Sequence, residues 1–215
     1  YTLVDANGDA VDTTDLTMDI DAIDVTLTIV MYKEVKLDVD FIDGGGATSS
    51  DVSYQISPET ITLSGDATAL SGVNTIQLDN IDLSTIMKNE DTVTRQIMIP
   101  NNATNVSGEQ EAKVTIRIKN KEISTIRSSN ITFSNVAEGF EAKSISQQIQ
   151  VTFRASTDDI RKISANNVRI IADMSEYTQP GTYQVPVDVT FDGFADAGVI
   201  GEYTVAVTLS RAAEE

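Results

Sequence analysis

Apolar side chains at every second position dominate this sequence, and that period limits what the chain can fold into. Val25-Leu27-Ile29, Val35-Leu37-Val39-Phe41, Ile97-Ile99, Val114-Ile116-Ile118, Ile149-Val151-Phe153, Val185-Val187-Val189-Phe191 and Val205-Val207-Leu209 each set one apolar face. Thr and other polar residues fill the opposite face, as in "VTLTIV", "VTIRI" and "VAVTL", which is what a sheet wet on one side requires. The expected fold class is therefore all-β: mainly antiparallel sheets, with one short helix in each repeat of the pattern.

Turn residues punctuate the strands at 42–51 ("IDGGGATSSD"), 101–109 ("NNATNVSGE"), 177–181 ("YTQPG") and 191–198 ("FDGFADAG"). Two segments break the period. "SGDATALSG" (64–72) and "STDDIRKIS" (156–164) read as short helices, the second with Thr157 as N-cap and Asp158 and Asp159 in its first turn, where the helix dipole favours them.

The pattern then repeats. "ITLSGDATALSGVNTIQLDNIDLS" (61–84) and "IQVTFRASTDDIRKISANNVRIIADMS" (149–175) both run strand, short helix, strand, Asp-apolar-Ser. Asp82 matches Asp173 and Glu111 matches Glu202, each 91 residues on (173 − 82 and 202 − 111). A period of this length suits a domain and exceeds a solenoid unit. Two domains are expected, 1–126 and 127–215, with the boundary in a polar link near "EISTIRSSN" (122–130).

Composition removes most chemistries. Among 215 residues there is no Cys and no His, so thiol and imidazole nucleophiles, their zinc sites and a histidine pH switch are excluded. With 33 acidic against 15 basic side chains, the net charge of −18 repels nucleic acid and anionic lipid. A carboxylate-only enzyme such as a glycosidase needs just two acidic residues. The chain has no Trp and 6% aromatics, however, which leaves few platforms for a sugar ring, and no catalytic residue, cofactor or metal site is expected.

The densest apolar patch, Ile29-Val30-Met31-Tyr32, meets Lys33-Glu34 at once, far short of the roughly 20 residues a membrane helix needs. Beginning at Tyr1 with no signal-like segment, the sequence reads as a fragment cut from a longer, anchored protein.

The stretch Asp5-Ala6-Asn7-Gly8-Asp9 resembles the start of a calcium loop. Counting from Asp5, however, Ala10 falls where the loop needs Gly and Leu16 where it needs the closing carboxylate. Asn7-Gly8 between "YTLV" and "AV" instead predicts a hairpin with a type I′ turn. Other candidate residues have structural readings too. Gly65 and Pro180-Gly181 suit a bend and a turn. Asp82 with Ser84, and Asp173 with Ser175, suit local hydrogen bonds that end a strand more than a repeated carboxylate site. Asp12, Asp15, Asp19, Asp21 and Asp24 read as a solvated face. The sequons at Asn102, Asn105 and Asn130 mark two polar turns and a strand start.

These segments resemble a known family. "KEVKLDVDF" (33–41), "GGGATSSDVSY" (44–54), "SPETITLSGDATALSGVNTIQLDNIDLS" (57–84), "RQIMIP" (95–100) and "EAKVTIRI" (111–118) are similar in order to the YbbR-like repeat of the bacterial CdaR proteins. "VDANGDAV" is similar to the hairpin that precedes the Lys-led strand. The second repeat departs from the pattern, with Gln147-Gln148 in place of Pro58 and Phe153 at the place of Gly65, while "DMS" and "TQPGTY" remain. The resemblance implies two tandem YbbR-like domains held outside the cytoplasmic membrane by an N-terminal helix absent from this sequence. It implies a non-catalytic module that modulates a membrane diadenylate cyclase, the enzyme that makes cyclic di-AMP, and it supplies no catalytic residue. The partner implied is that cyclase, reached through the full-length protein, with no nucleic acid and no direct membrane contact by these residues. The alternative is a cell-surface adhesin or carbohydrate-binding β-sandwich, with a cell-wall component as its ligand.

Overall fold

The computed structural model describes residues 2–12, 14 and 29–212 of the chain, which divides into two units, Tyr1–Val30 and Met31–Glu215. The acidic positions from Asp15 to Asp24, and Val25 and Leu27 of the first expected strand, lie outside the described residues, while Ile29, the last apolar position of that strand, is exposed and not in a strand.

In the first unit the expected hairpin is present, with Val4 bridged to Ala10. Its turn is not type I′. The Gly8 amide donates to the Asp5 carbonyl and the Asp5 amide to the Asp9 carbonyl. Gly8 has φ of 90°, whereas Asn7 stays out of the left-handed region. This is the three-residue loop in which an ordinary turn is followed by a left-handed glycine. The Asp5 carboxylate accepts the Asn7 and Asp9 amides at 2.9 and 3.0 Å, and these bonds, that from Asp9 first, hold its carboxyl below the usual range.

The second unit holds two β modules. Module 1 comprises β1 (Met31–Ile42), β2 (Val52–Ser57), β3 (Thr60–Gly65), α1 (Ala67–Ser71), β4 (Thr75–Asp82), β5 (Glu90–Gln96), β6 (Ala103–Asn105) and β7 (Glu111–Ile118). They form one sheet in the order β4-β1-β3-β6 and another in the order β2-β7-β5. β7 shows why: Ala112, Val114, Ile116 and Ile118 are buried, while Glu111, Lys113, Thr115 and Arg117 alternate on the wet face. Apolar residues of both sheets, such as Leu37, Leu63, Leu78 and Ile116, form one core. Each such side chain contributes about 1.5–3 kcal/mol by leaving water. Lys33, the third residue of β1, donates from Nζ to the Leu70 carbonyl at 2.9 Å and to Asn74 Oδ1 at 3.0 Å, tying off the C-terminal end of α1.

Module 2 comprises β8 (Lys121–Ser128), β9 (Ile131–Ser134), β10 (Phe140–Ser144), β11 (Ile149–Ser156), β12 (Val168–Asp173), β13 (Gly181–Phe191), β14 (Gly198–Ile200) and β15 (Tyr203–Arg211). Its sheets run β14-β11-β8 and β10-β15-β13-β12-β9 around a separate core that includes Val151, Phe153, Ile170 and Val205. Most of the pairing duplicates module 1, although β12 also pairs with β13, a ladder with no counterpart between β4 and β5. β1 pairs antiparallel with β3 along its first half and parallel with β4 along its second. β8 and β9 divide those same roles, antiparallel with β11 and parallel with β12. β2-β7-β5 corresponds to β10-β15-β13, and β6 on β3 to β14 on β11.

Four details of the sequence reading are corrected. The polar link expected at 122–130 is largely strand β8, paired along its length with β11, so a cut at 126/127 passes through it. The strand expected at Ile97-Ile99 lies earlier, as β5, and Ile97 is a buried residue beyond its end. Residues 157–162 form successive turns in place of a helix, and their cap is Ser156, not Thr157. Ser156 Oγ accepts the Asp159 amide as Asp66 Oδ1 accepts the Ala69 amide, so Ser156 occupies the place of Asp66. Ala155, not Phe153, therefore stands at the Gly65 position.

Candidate functional site at the joint between the modules

β11 carries the chain's most unusual side chain. Val151, Phe153 and Ala155 face the module 2 core, so strand alternation sends Arg154 to the opposite side, where it is 0% exposed. All its side-chain hydrogen bonds go to module 1. Nε donates to Asn89 Oδ1 at 3.0 Å, Nη1 to the carbonyls of Gly45 at 2.8 Å and Leu83 at 3.4 Å, and Nη2 to the Ile86 carbonyl at 2.6 Å. None of these acceptors is a carboxylate. Burial alone pulls its pKa below the ordinary guanidinium value.

The glycine loop lets the two backbones meet. Gly45 and Gly46 have φ of 57° and 72°, and a Cβ on Gly46 would lie 2.1 Å from the Arg154 carbonyl oxygen. A Cβ on Gly198 of β14 would lie equally close to the Gly46 nitrogen, at 2.1 Å. Around this contact the Gly201 amide donates to the Ser84 carbonyl at 3.0 Å, Asn89 Nδ2 donates to the Lys121 carbonyl, and Lys121 Nζ sits 3.6 Å from Asp51. The two-residue connection between β7 and β8 is itself anchored: the Lys119 amide donates to the Asp51 carbonyl, and Asn120, at φ 57°, accepts the Thr157 amide on its carbonyl.

The Asp-x-Ser motifs shape turns. Asp82 Oδ1 accepts the Ser84 amide at 2.8 Å, and Asp173 Oδ1 accepts the Ser175 amide at 2.9 Å and Asn135 Nδ2 at 3.0 Å. The Asp82 turn thereby presents the Leu83 and Ser84 carbonyls to the joint. Gly65 serves a close approach: a Cβ there would sit 2.9 Å from the Asn102 carbonyl oxygen. Pro180 lies in the turn from which Gly181 opens β13, under the ring of Tyr183. Asn102 adopts a left-handed turn conformation, Asn105 ends β6, and Asn130 donates to the Val168 carbonyl between β8 and β9. The joint gathers Gly45, Gly46 and Ser84 from motifs visible in the sequence. Arg154, Asn89 and Gly198 were not singled out there, although an Arg inside the apolar run "VTFRAS" was the available signal.

Open depressions of about 220 and 370 Å³ flank β2, lined by Tyr54 and Gln55 with Thr115 and Arg117 on one side and Leu37, Asp38 and Glu59 on the other. Tyr54 donates to Asp38 Oδ1 at 2.7 Å, and that bond raises the phenol's pKa. No helix among the described residues is long and apolar enough to cross a membrane.

No curated protein matches the chain significantly in sequence. Among solved structures, a solution structure from Streptococcus thermophilus matches with 15% identity and a TM-score of 0.35, covering 43% of this chain and 89% of its own. The crystal structure of a YbbR-like protein from Streptococcus pneumoniae matches with 12% identity and a TM-score of 0.33, covering 88% of this chain and 100% of its own. The family model described as YbbR-like protein matches residues 35–118, from β1 through the last residue of β7. Module 1 of this all-β chain is a YbbR-like domain.

Proposed function

We propose that this chain is an extracytoplasmic, non-catalytic interaction module of a membrane-anchored protein that modulates a membrane diadenylate cyclase, and that module 2 is a second YbbR-like domain. The match of residues 35–118 to the YbbR-like family carries the reading. The duplicated strand pairing of module 2 supports the second domain. The lack of His and Cys and the open form of the surface depressions favour a protein partner over a small substrate. Recognition would use an exposed face or a free sheet edge.

The test restores a natural N-terminal anchor, co-expresses the protein with the diadenylate cyclase of the same source, and follows co-purification and cyclic di-AMP level. A co-purifying pair whose nucleotide output changes, with the change lost on deletion of these modules, supports the proposal. Absence of both association and altered output overturns it.

A further inference from the structure

We propose that Arg154 is the bolt of a lock that fixes the two modules in one orientation, so that they move as a single rigid body. Linked domains ordinarily move relative to one another unless their interface prevents it. Here the guanidinium lies wholly out of water and bonds only to the other module: Asn89 and the carbonyls of Gly45, Leu83 and Ile86. Rotation at the joint would strip a buried charge of these acceptors at once, a severe cost in a dry site.

The comparison between modules separates this role from a requirement of the fold. Both build the same pairing around this strand, β3 in one and β11 in the other, so an arginine needed to form it would recur at the equivalent position. In module 1 that position is Ser64, paired with Thr104 of β6 as Arg154 is paired with Gly198 of β14. The receiving side differs as well. Module 2 keeps the Asp173-x-Ser175 turn, but beyond β9 it has Asn135-Val136-Ala137 where module 1 has its glycine loop beyond β1. Arginine and cradle thus occur only where these two modules meet. Backbone contact at Gly46 and Gly198, the Gly201 to Ser84 bond and the Lys121–Asp51 pair hold the joint at separate points, which resists both twist and bend.

The chain has no Cys, so single labels can be placed without background. Spin labels at Thr94→Cys and Thr182→Cys, on exposed positions of β5 and β13, report the distance between modules by pulsed electron resonance in the full chain. The expected result is one narrow distance peak, lost in Arg154→Met while the β-sheet circular dichroism is retained. Gly46→Val, which wedges the backbones apart while leaving the arginine side chain in place, should lose the narrow peak too, and it decides the matter if Arg154→Met fails to fold. A broad distribution in the parent chain, or a peak as narrow in a folded variant as in the parent, overturns the proposal.

Discussion

Asn89 and Arg154 belong to different modules and complete each other's hydrogen bonding: Oδ1 of Asn89 accepts from Arg154 Nε at 3.0 Å, while its Nδ2 donates to the Lys121 carbonyl at 2.6 Å. Asn89→Ala removes both bonds and strands one N–H of a buried guanidinium. Such orphaned groups cost about 1–3 kcal/mol each, more when charged. Urea titration should show a loss of about 2–3 kcal/mol, and a loss within the scatter of ordinary surface substitutions would contradict this account of the pair.

Lys33 binds α1 through the Leu70 carbonyl and Asn74. Lys33→Met keeps the aliphatic stem and deletes the donors. We expect a loss of about 1 kcal/mol, the usual net worth of such a bond. Hydrogen exchange should locate the loss in the amides of residues 67–74, faster there than in β7.

Phe153 is 1% exposed and stacks at a tilt on Phe191, ring centres 4.9 Å apart. Phe153→Ala should cost about 3–5 kcal/mol by opening a cavity in the module 2 core. Because that core is separate from the one containing Leu63, calorimetry of this variant tests whether the joint couples the modules: one shared transition is expected, and two well-separated transitions would mean they unfold independently.

Strand alternation was legible wherever one face is core and the other water, as in β7 and β15. β8 escaped notice because its only apolar residues, Ile123 and Ile126, lie out of period two, and its place is fixed by pairing with β11. The displaced strand near Ile97 has a similar origin: Ile97 is buried and its amide still donates to the Gln110 carbonyl, but the ladder ends at Gln96 with Glu111, so the apolar spacing runs past the paired strand. The joint was least legible. Apart from Asn89, its acceptors are main-chain carbonyls, which any residue type supplies, and the one available signal, an arginine between Phe153 and Ala155, does not say what buries it.

Asp51 accepts the Thr48 amide at 2.8 Å and lies beside Lys121 at the joint. Burial pushes its carboxyl up, but the Thr48 bonds and Lys121 outweigh it, and the folded-state pKa is below the ordinary 3.8. A group depressed in this way stabilises fully above its unfolded value and loses that contribution as pH falls through its folded value. Stability should therefore decline in the acid range below about pH 4. Asp51→Asn should flatten that part of the acid limb, as read by denaturant titration at stepped pH, and an unaltered limb would rule out this contribution.

Every oxygen that receives Arg154 is an uncharged amide oxygen, from the backbone or from Asn89. Amide oxygens do not titrate between the extremes of pH, and their bonds to a buried cation lie beyond the reach of dissolved ions that screen exposed pairs such as Arg169 with Asp192. A carboxylate in the same place would have made the hinge responsive to acidity and salinity. With amide oxygens, the arginine's own anchorage is independent of the ionic medium, and the Lys121–Asp51 pair is the part of the joint that acid or salt can weaken.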